Sequence, residues 1–207
     1  HQGGDNLRKQ LANMALHGVT PVVAINVFPG DHEADIAAIA EIAAEYGARA
    51  AVTTHFADGG RGAADLAEAV KEAADEPSSF EVLYPDDMAL ADKIATVATK
   101  VYGADGIELS PTAARQLDTY TAAGFAHLPV CIAKTHLSIS SDPALKGAPT
   151  GWTLPVREVR ASVGAGFVYP ICGDMRTMPG LGKTPAATGI DLVFDDGDPE
   201  GRIVGLS

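Results

Sequence analysis

Along the first part of the chain the apolar positions switch repeatedly between two periods. From Asn6 to His17 they recur at helical spacing, with Leu7, Leu11, Met14 and Ala15 on one face and Gly18 as the stop. Pro21 to Phe28 is a short, nearly continuous apolar run rich in Val and Ile, the pattern of a strand buried in a parallel sheet. Helical spacing returns over His32 to Tyr46 through Ile36, Ile39, Ala40 and Ala43, and Gly47 supplies the C-terminal stop. Ala50 to Phe56 predicts the next strand, and Gly62 to Ala74 the next helix, through Leu66, Val70 and Ala73. Repeated strand, loop and helix of these lengths predict an α/β fold: a parallel sheet with flanking helices, Rossmann-like but with no dinucleotide fingerprint.

Pro77, Ser78 and Ser79 break the pattern. A short strand-like piece follows from Phe80 to Tyr84, then a helix from Met88 to Tyr102 and a strand from Gly106 to Leu109. Pro111 to Gly124 reads as a helix with Ser110 as its cap and Pro111 in its first position. Leu128 to Lys134 reads as a buried strand. Beyond Thr135 the texture becomes β-richer: a polar Pro/Gly loop over 138–151, longer alternating strands over 152–162 and 165–174, and a hairpin over 190–206 around an Asp/Gly turn. The division expected is an α/β segment, 1–77, and a C-terminal α/β domain with a β-rich tail, 78–207.

The composition supports a packed core: 46% of the 207 residues are hydrophobic and 20% charged. A net charge of −12 repels phosphate backbones and anionic lipid, so neither nucleic acid nor membrane is an expected partner. Cys131 and Cys172 both lie in apolar stretches and read as buried reduced thiols, with no metal-ligand spacing around them. The expected compartment is the cytoplasm. The chain opens on His1 rather than Met, as if it started inside a fold.

Candidate chemistry concentrates where parallel strands end, because loops there lead into helices and receive ligands. One such loop runs from Asn26 through Phe28, Pro29 and Gly30 to Asp31. The next runs from His55 through Phe56, Gly59, Gly60 and Arg61 to Gly62. Each carries a Phe at a strand end before a Gly-containing stretch. Two such rings either clamp a planar heterocycle, with glycines letting it approach the backbone, or cap the local core. Pro179 to Pro185 imitates a phosphate loop, but G-x-x-x-x-G-K-S/T needs Gly where Thr177 stands, and Pro185 follows at once; it reads as a turn. Asp195 to Gly201 lacks the spaced ligands of a calcium loop and reads as a hairpin turn. Lys134, Thr135, His136 and the run Ser138 to Asp142 place polar groups after a strand, either for a ligand or as an ordinary loop.

Several segments together resemble formate–tetrahydrofolate ligase. They are residues 21–36 (PVVAINVFPGDHEADI), 103–113, 124–187 with LPVCIAKT and PTGWTLPVRE at its heart, and the closing 190–206. The resemblance runs through nearly the whole chain and identifies it with the C-terminal portion of that family. It implies an ATP-dependent ligase that joins formate to tetrahydrofolate through formyl phosphate, with Mg²⁺ accompanying ATP and a monovalent cation activating. It further implies a homo-oligomer, a homotetramer in bacterial members, and an N-terminal part of the same enzyme that carries the phosphate loop. By the same resemblance Phe28, Pro29, Val52, Phe56, Gly59 and Gly60 line the folate or nucleotide pocket. No residue is implied as a catalytic acid, base, nucleophile or metal ligand. Phe56 stands where the family pattern has Trp, and Arg61 where it has Glu. The alternative is a non-catalytic folate-binding or assembly module when the N-terminal part is not present.

Overall fold

Val22–Asn26 (β1) and Arg49–Thr53 (β2) pair in parallel, in a register that runs from Val22 opposite Arg49 to Asn26 opposite Thr53. In this computed structural model, which describes residues 3–173, 184–194 and 202–205, the crossover between them is the helix Glu33–Glu45 (α2). Helix Gly4–Ala15 (α1) packs on α2, and helix Ala64–Ala74 (α4) packs on β2 and β1. Val23 and Ala50 on the strands close against a small core of Leu11, Ile42, Ala43 and Ala48. The sequence pattern omits Ile42, which is buried one helical turn beyond Ile39. The predicted apolar stripe of α4 forms but stays partly open: none of its residues is buried, and Val70 is exposed. Met14 and Ala15, expected on the inner face of α1, are exposed as well.

The larger core lies in residues 90–172. Helix Leu90–Thr96 (α5) continues as a π-turn over Val97–Val101, so the predicted helix to Tyr102 changes register in its last turns. Its residues Leu90, Ile94 and Ala98, four apart, are all buried. Gly106–Leu109 (β3) pairs in parallel with Thr153–Val156 (β4), and helix Pro111–Ala122 (α6) starts as expected, with the Ser110 hydroxyl accepting from the Ala113 N–H. Glu158–Ser162 (β5) and Phe167–Ile171 (β6) pair antiparallel. Leu154, Val156, Val159 and Val168 from these strands are at most 1% exposed and meet the buried faces of α5 and α6.

Lys93 is also fully buried here. Its ammonium donates to the carbonyls of Asp86 (2.7 Å), Ala126 (2.8 Å) and Leu128 (3.1 Å) and lies 5.7 Å from the centre of the Tyr84 ring. Three acceptors match the three N–H donors of an ammonium, which is the condition for tolerating the charge there.

Three features depart from the sequence expectation: the segment 80–84, the segment 128–134 and the exposure of Cys131. Phe80 to Tyr84 is not a strand. Phe80 stacks on His17 with ring centres 5.9 Å apart, Glu81 N–H donates to the His17 carbonyl, and the Tyr84 hydroxyl accepts from Val130 N–H, so the segment is tied by side chains and loops. Leu128 to Lys134 is extended and runs parallel to β6, but pairs only as isolated bridges at Val130 and Ala133. Val168, Cys131, Ala133 and Cys172 N–H groups all bond across this seam. Pro170 cannot donate, so the ladder is interrupted in its middle. The segment is an edge, and Cys131 on it is exposed rather than buried; Cys172 is buried as expected.

The residues 176–207 form a separate unit. Within it Asp191–Val193 (β7) and Arg202–Val204 (β8) pair antiparallel, as the hairpin reading requires. The phosphate-loop-like stretch up to Lys183 and the Asp/Gly turn 195–201 lie outside the described residues. Among the described residues no helix is long and apolar enough to cross a membrane.

Candidate functional site

The first loop grows directly out of β1. Val27 N–H donates to the Thr53 carbonyl, extending the ladder one step past the strand. Phe28 and Asp31 then close a turn on each other: Phe28 N–H donates to the Asp31 carboxylate at 2.8 Å, and Asp31 N–H donates to the Phe28 carbonyl at 3.1 Å. Pro29 and Gly30 form the tip, and Gly30 takes a φ of 101°, open to glycine and strained for other residues. This clasp fixes the backbone under the Phe28 ring. The sequence places Asp31 on this loop but gives no sign of its clasp on Phe28, although Pro-Gly marks the turn and Asp readily bonds nearby backbone.

The second loop closes on the end of β2 through Thr54. Its N–H donates to the Gly62 carbonyl at 2.9 Å and its hydroxyl to the Asp58 carboxylate at 2.6 Å. A short helix, His55–Asp58 (α3), replaces the predicted continuation of the strand to Phe56. Gly59 follows at φ 60°, ψ −145°, a conformation essentially restricted to glycine. Gly62 has no room for a Cβ, which would come within 2.7 Å of the Thr54 backbone carbon. Gly60 faces open space and meets no such requirement. The Thr53 hydroxyl, itself buried, shares a 2.9 Å hydrogen bond with the His55 ring.

These two loops bring Phe28 and Phe56 together. Their ring centres are 5.7 Å apart and their planes inclined by 51°. Neither ring is core: Phe28 is 45% exposed and Phe56 79%. Val52, opposite the buried Ile25 in the register, is 44% exposed on β2, and Pro29, Gly59 and Gly60 are exposed at the loop tips. A planar ligand held between two rings needs about 7 Å, twice the carbon contact distance. The two rings therefore cover each other in this arrangement, and a ligand has their outer faces or a gap opened by side-chain rotation.

Arg61, exposed on the same loop, has no ion-pair partner among the described residues. Arg8, Arg49 and Arg160 are paired with Glu45, Glu76 and Glu158 at 2.7, 2.7 and 3.1 Å. The Arg49 hydrogen bond, helped by Thr20, holds the Glu76 carboxyl below the usual carboxylate range. The loops thus offer apolar rings, approachable backbone and one uncommitted cation, which is binding chemistry. Among the described residues no three His, Cys, Asp or Glu side chains gather to hold a metal ion.

The family model for formate–tetrahydrofolate ligase matches residues 1–207. A formate–tetrahydrofolate ligase of Saccharopolyspora erythraea is 63% identical over 205 residues, covering 99% of this chain and 35% of the relative. One from Cutibacterium acnes is 54% identical over 204 residues, again 99% of this chain and 35% of the relative. The cytoplasmic C-1-tetrahydrofolate synthase of Mus musculus is 50% identical over 200 residues, 96% of this chain and 21% of that protein. The chain spans about a third of the length of the bacterial relatives it matches.

Proposed function

The chain belongs to the formate–tetrahydrofolate ligase family, and from that premise we propose that it works as the C-terminal, folate-handling segment of an ATP-dependent ligase that makes 10-formyltetrahydrofolate. The observation that carries this reading is the exposed Phe28–Phe56 pair at neighbouring parallel strand ends, 5.7 Å between ring centres. Phe28 and Phe56 supply stacking faces for the folate ring or the adenine, Val52 and Pro29 the apolar margin, and Gly59 and Gly60 an uncluttered backbone. Arg61 places a cation beside that surface, suited to the glutamate carboxylate of folate.

In the whole enzyme the reaction proceeds in two steps. Formate attacks the terminal phosphorus of ATP to give formyl phosphate and ADP. The folate amine then attacks the formyl carbon, phosphate leaves with the bonding pair, and the amine's proton passes to the departing phosphate or to solvent. ATP and Mg²⁺ belong to the remainder of the enzyme in this reading. This chain's residues bind and orient the folate and provide no proton-transfer group of their own. A monovalent cation and a cytoplasmic homo-oligomeric assembly complete the proposal.

Calorimetric titration tests it. The chain should bind tetrahydrofolate, and Phe28→Ala should weaken that binding about tenfold, as expected for losing roughly 1.4 kcal/mol of ring contact. Formation of 10-formyltetrahydrofolate should require the remainder of the enzyme. Unchanged affinity in Phe28→Ala removes the aromatic surface from the reading, and turnover by this chain alone removes the division of labour.

A further inference from the structure

A second candidate site lies away from the aromatic pair, on α1. Asn6, Gln10 and Asn13, spaced four and three apart, share one face of that helix and line a cavity of about 300 Å³. The opposite wall is the loop that follows residues 130–133, with Lys134 and His136. That position is the C-terminal end of a segment running parallel to β6, where parallel strands usually present ligands.

The polar groups around the cavity are committed in an unequal way. Lys134 Nζ donates to the backbone carbonyls of Thr135, Ser138 and Ser140, and sits 4.8 Å from the centre of the Tyr102 ring. Burial pulls its pKa down, while three carbonyls and a ring face favour the ammonium. Its hydrogens are used, but its charge is not neutralised by any carboxylate. Along α1, Lys9 donates to the Asn13 side-chain oxygen at 2.9 Å, and the Asn13 amide donates to the Gln10 oxygen at 3.4 Å. This relay orients Gln10 with its NH₂ group left over. The Asn6 side chain and the His136 ring have no internal partner among the described residues. No Asp or Glu lines the cavity, in a chain with 27 acidic and 15 basic residues.

We propose that this cavity binds a small carboxylate, with the Gln10 and Asn6 amides and His136 as donors and Lys134 as the fixed positive charge beneath them. Neutral donors beside a single cation whose hydrogens are already engaged suit one negative charge better than a phosphate dianion, which calls for free Lys or Arg donors. The assignment does not depend on the folate reading.

Proton–nitrogen correlation spectra of the chain test it, with sodium acetate as the probe, acetamide as its uncharged isostere and sodium chloride holding ionic strength constant. Acetate should shift the Gln10 and Asn6 side-chain amides and the His136 backbone amide saturably, with a Kd on the order of 1 mM. Acetamide should leave them in place. Gln10→Glu puts a like charge on an exposed helix position, so the spectrum should remain that of a folded chain while acetate binding weakens at least about tenfold. Equal shifts with acetamide, shifts that do not saturate, saturation by inorganic phosphate but not acetate, or undiminished binding by a folded Gln10→Glu would each overturn the proposal.

Discussion

Phe28 and Phe56 touch because of strand register. Asn26 lies opposite Thr53 in the β1–β2 ladder, and the two rings follow two and three residues beyond that pair. Each loop is then locked at its base, one by the reciprocal Phe28–Asp31 bonds and the other by Thr54 holding Asp58 and Gly62. The backbone beneath both rings is fixed, and the rings themselves remain more than two-fifths exposed. Such a pair contributes about 0.5–1.5 kcal/mol to the fold, and the apolar area left open lies mainly on Phe56.

That leftover area can be enlarged. Phe56→Trp should raise tetrahydrofolate affinity several-fold, because a few tens of Å² of added stacking area is worth about 1 kcal/mol at ~25 cal/mol per Å². The position is 79% exposed, so the larger ring meets little steric resistance and the denaturation midpoint should hardly move. Calorimetric titration of the two forms reads the first effect and urea unfolding the second. A weaker complex in Phe56→Trp would mean that the ring does not stack on folate.

Much of this geometry is legible in the sequence, and the gaps have identifiable causes. The Val/Ile run of β1 and the shorter Ala/Val/Thr run of β2, separated by a helical stripe, read as consecutive parallel strands whose ends carry Phe28 and Phe56. Ser110 before Pro111 marks its helix start because capping is local. Residues 128–134 read as a full strand because their apolarity says nothing about the partner, and the partner has Pro170 where a donor is needed. The exposure of Cys131 follows from the same edge position. The Lys93 cage is out of reach of pattern reading altogether, since Ala126 and Leu128 lie 33 and 35 residues away in the chain.

That cage makes a stability prediction. Lys93→Met keeps the volume and removes the ammonium, leaving the carbonyls of Asp86, Ala126 and Leu128 without their donor. Asp86 is exposed and its carbonyl can turn to water, while Ala126 and Leu128 are half-buried, so a loss of about 1–3 kcal/mol is expected. The exposed Lys71→Met serves as the control and should change stability by no more than about 0.5 kcal/mol. Urea unfolding midpoints of the two variants separate the outcomes; equal midpoints would mean that water or side chains replace the lysine without cost.

The two thiols should differ sharply in reactivity. Burial pushes the Cys172 thiol up to about 12, against the opposing pull of Lys134, so almost no thiolate is present near neutrality and none of it is accessible. Cys131 sits exposed on the interrupted seam. Ellman's reagent at pH 8 should therefore titrate one thiol in the native chain and two in guanidinium. Peptide mapping after native labelling with iodoacetamide should find the modification on Cys131. Two rapidly reacting native thiols would contradict the packing around β6.

The loop that carries Phe56 is held by a close approach between Gly62 and Thr54. Gly62 approaches the Thr54 backbone so closely that a Cβ would stand 2.7 Å from its carbonyl carbon and 2.8 Å from its oxygen. Both neighbours are backbone or adjoin it, and Thr54 is itself tied to Asp58, so neither side can yield without moving the loop. Gly62→Ala should break the Thr54 N–H bond to the Gly62 carbonyl and displace the turn that carries Phe56. Stability should fall by about 1–3 kcal/mol, the usual cost of overpacking, and tetrahydrofolate affinity should fall with it. Gly60→Ala, on the same loop but in open space, should cost less than about 0.5 kcal/mol of stability. Thermal melts and titrations of the pair distinguish a loop that must hold its shape to present the ring from one that merely tethers it. If Gly62→Ala binds folate as well as the unsubstituted chain does, the ring's position is set by the ligand and not by the chain.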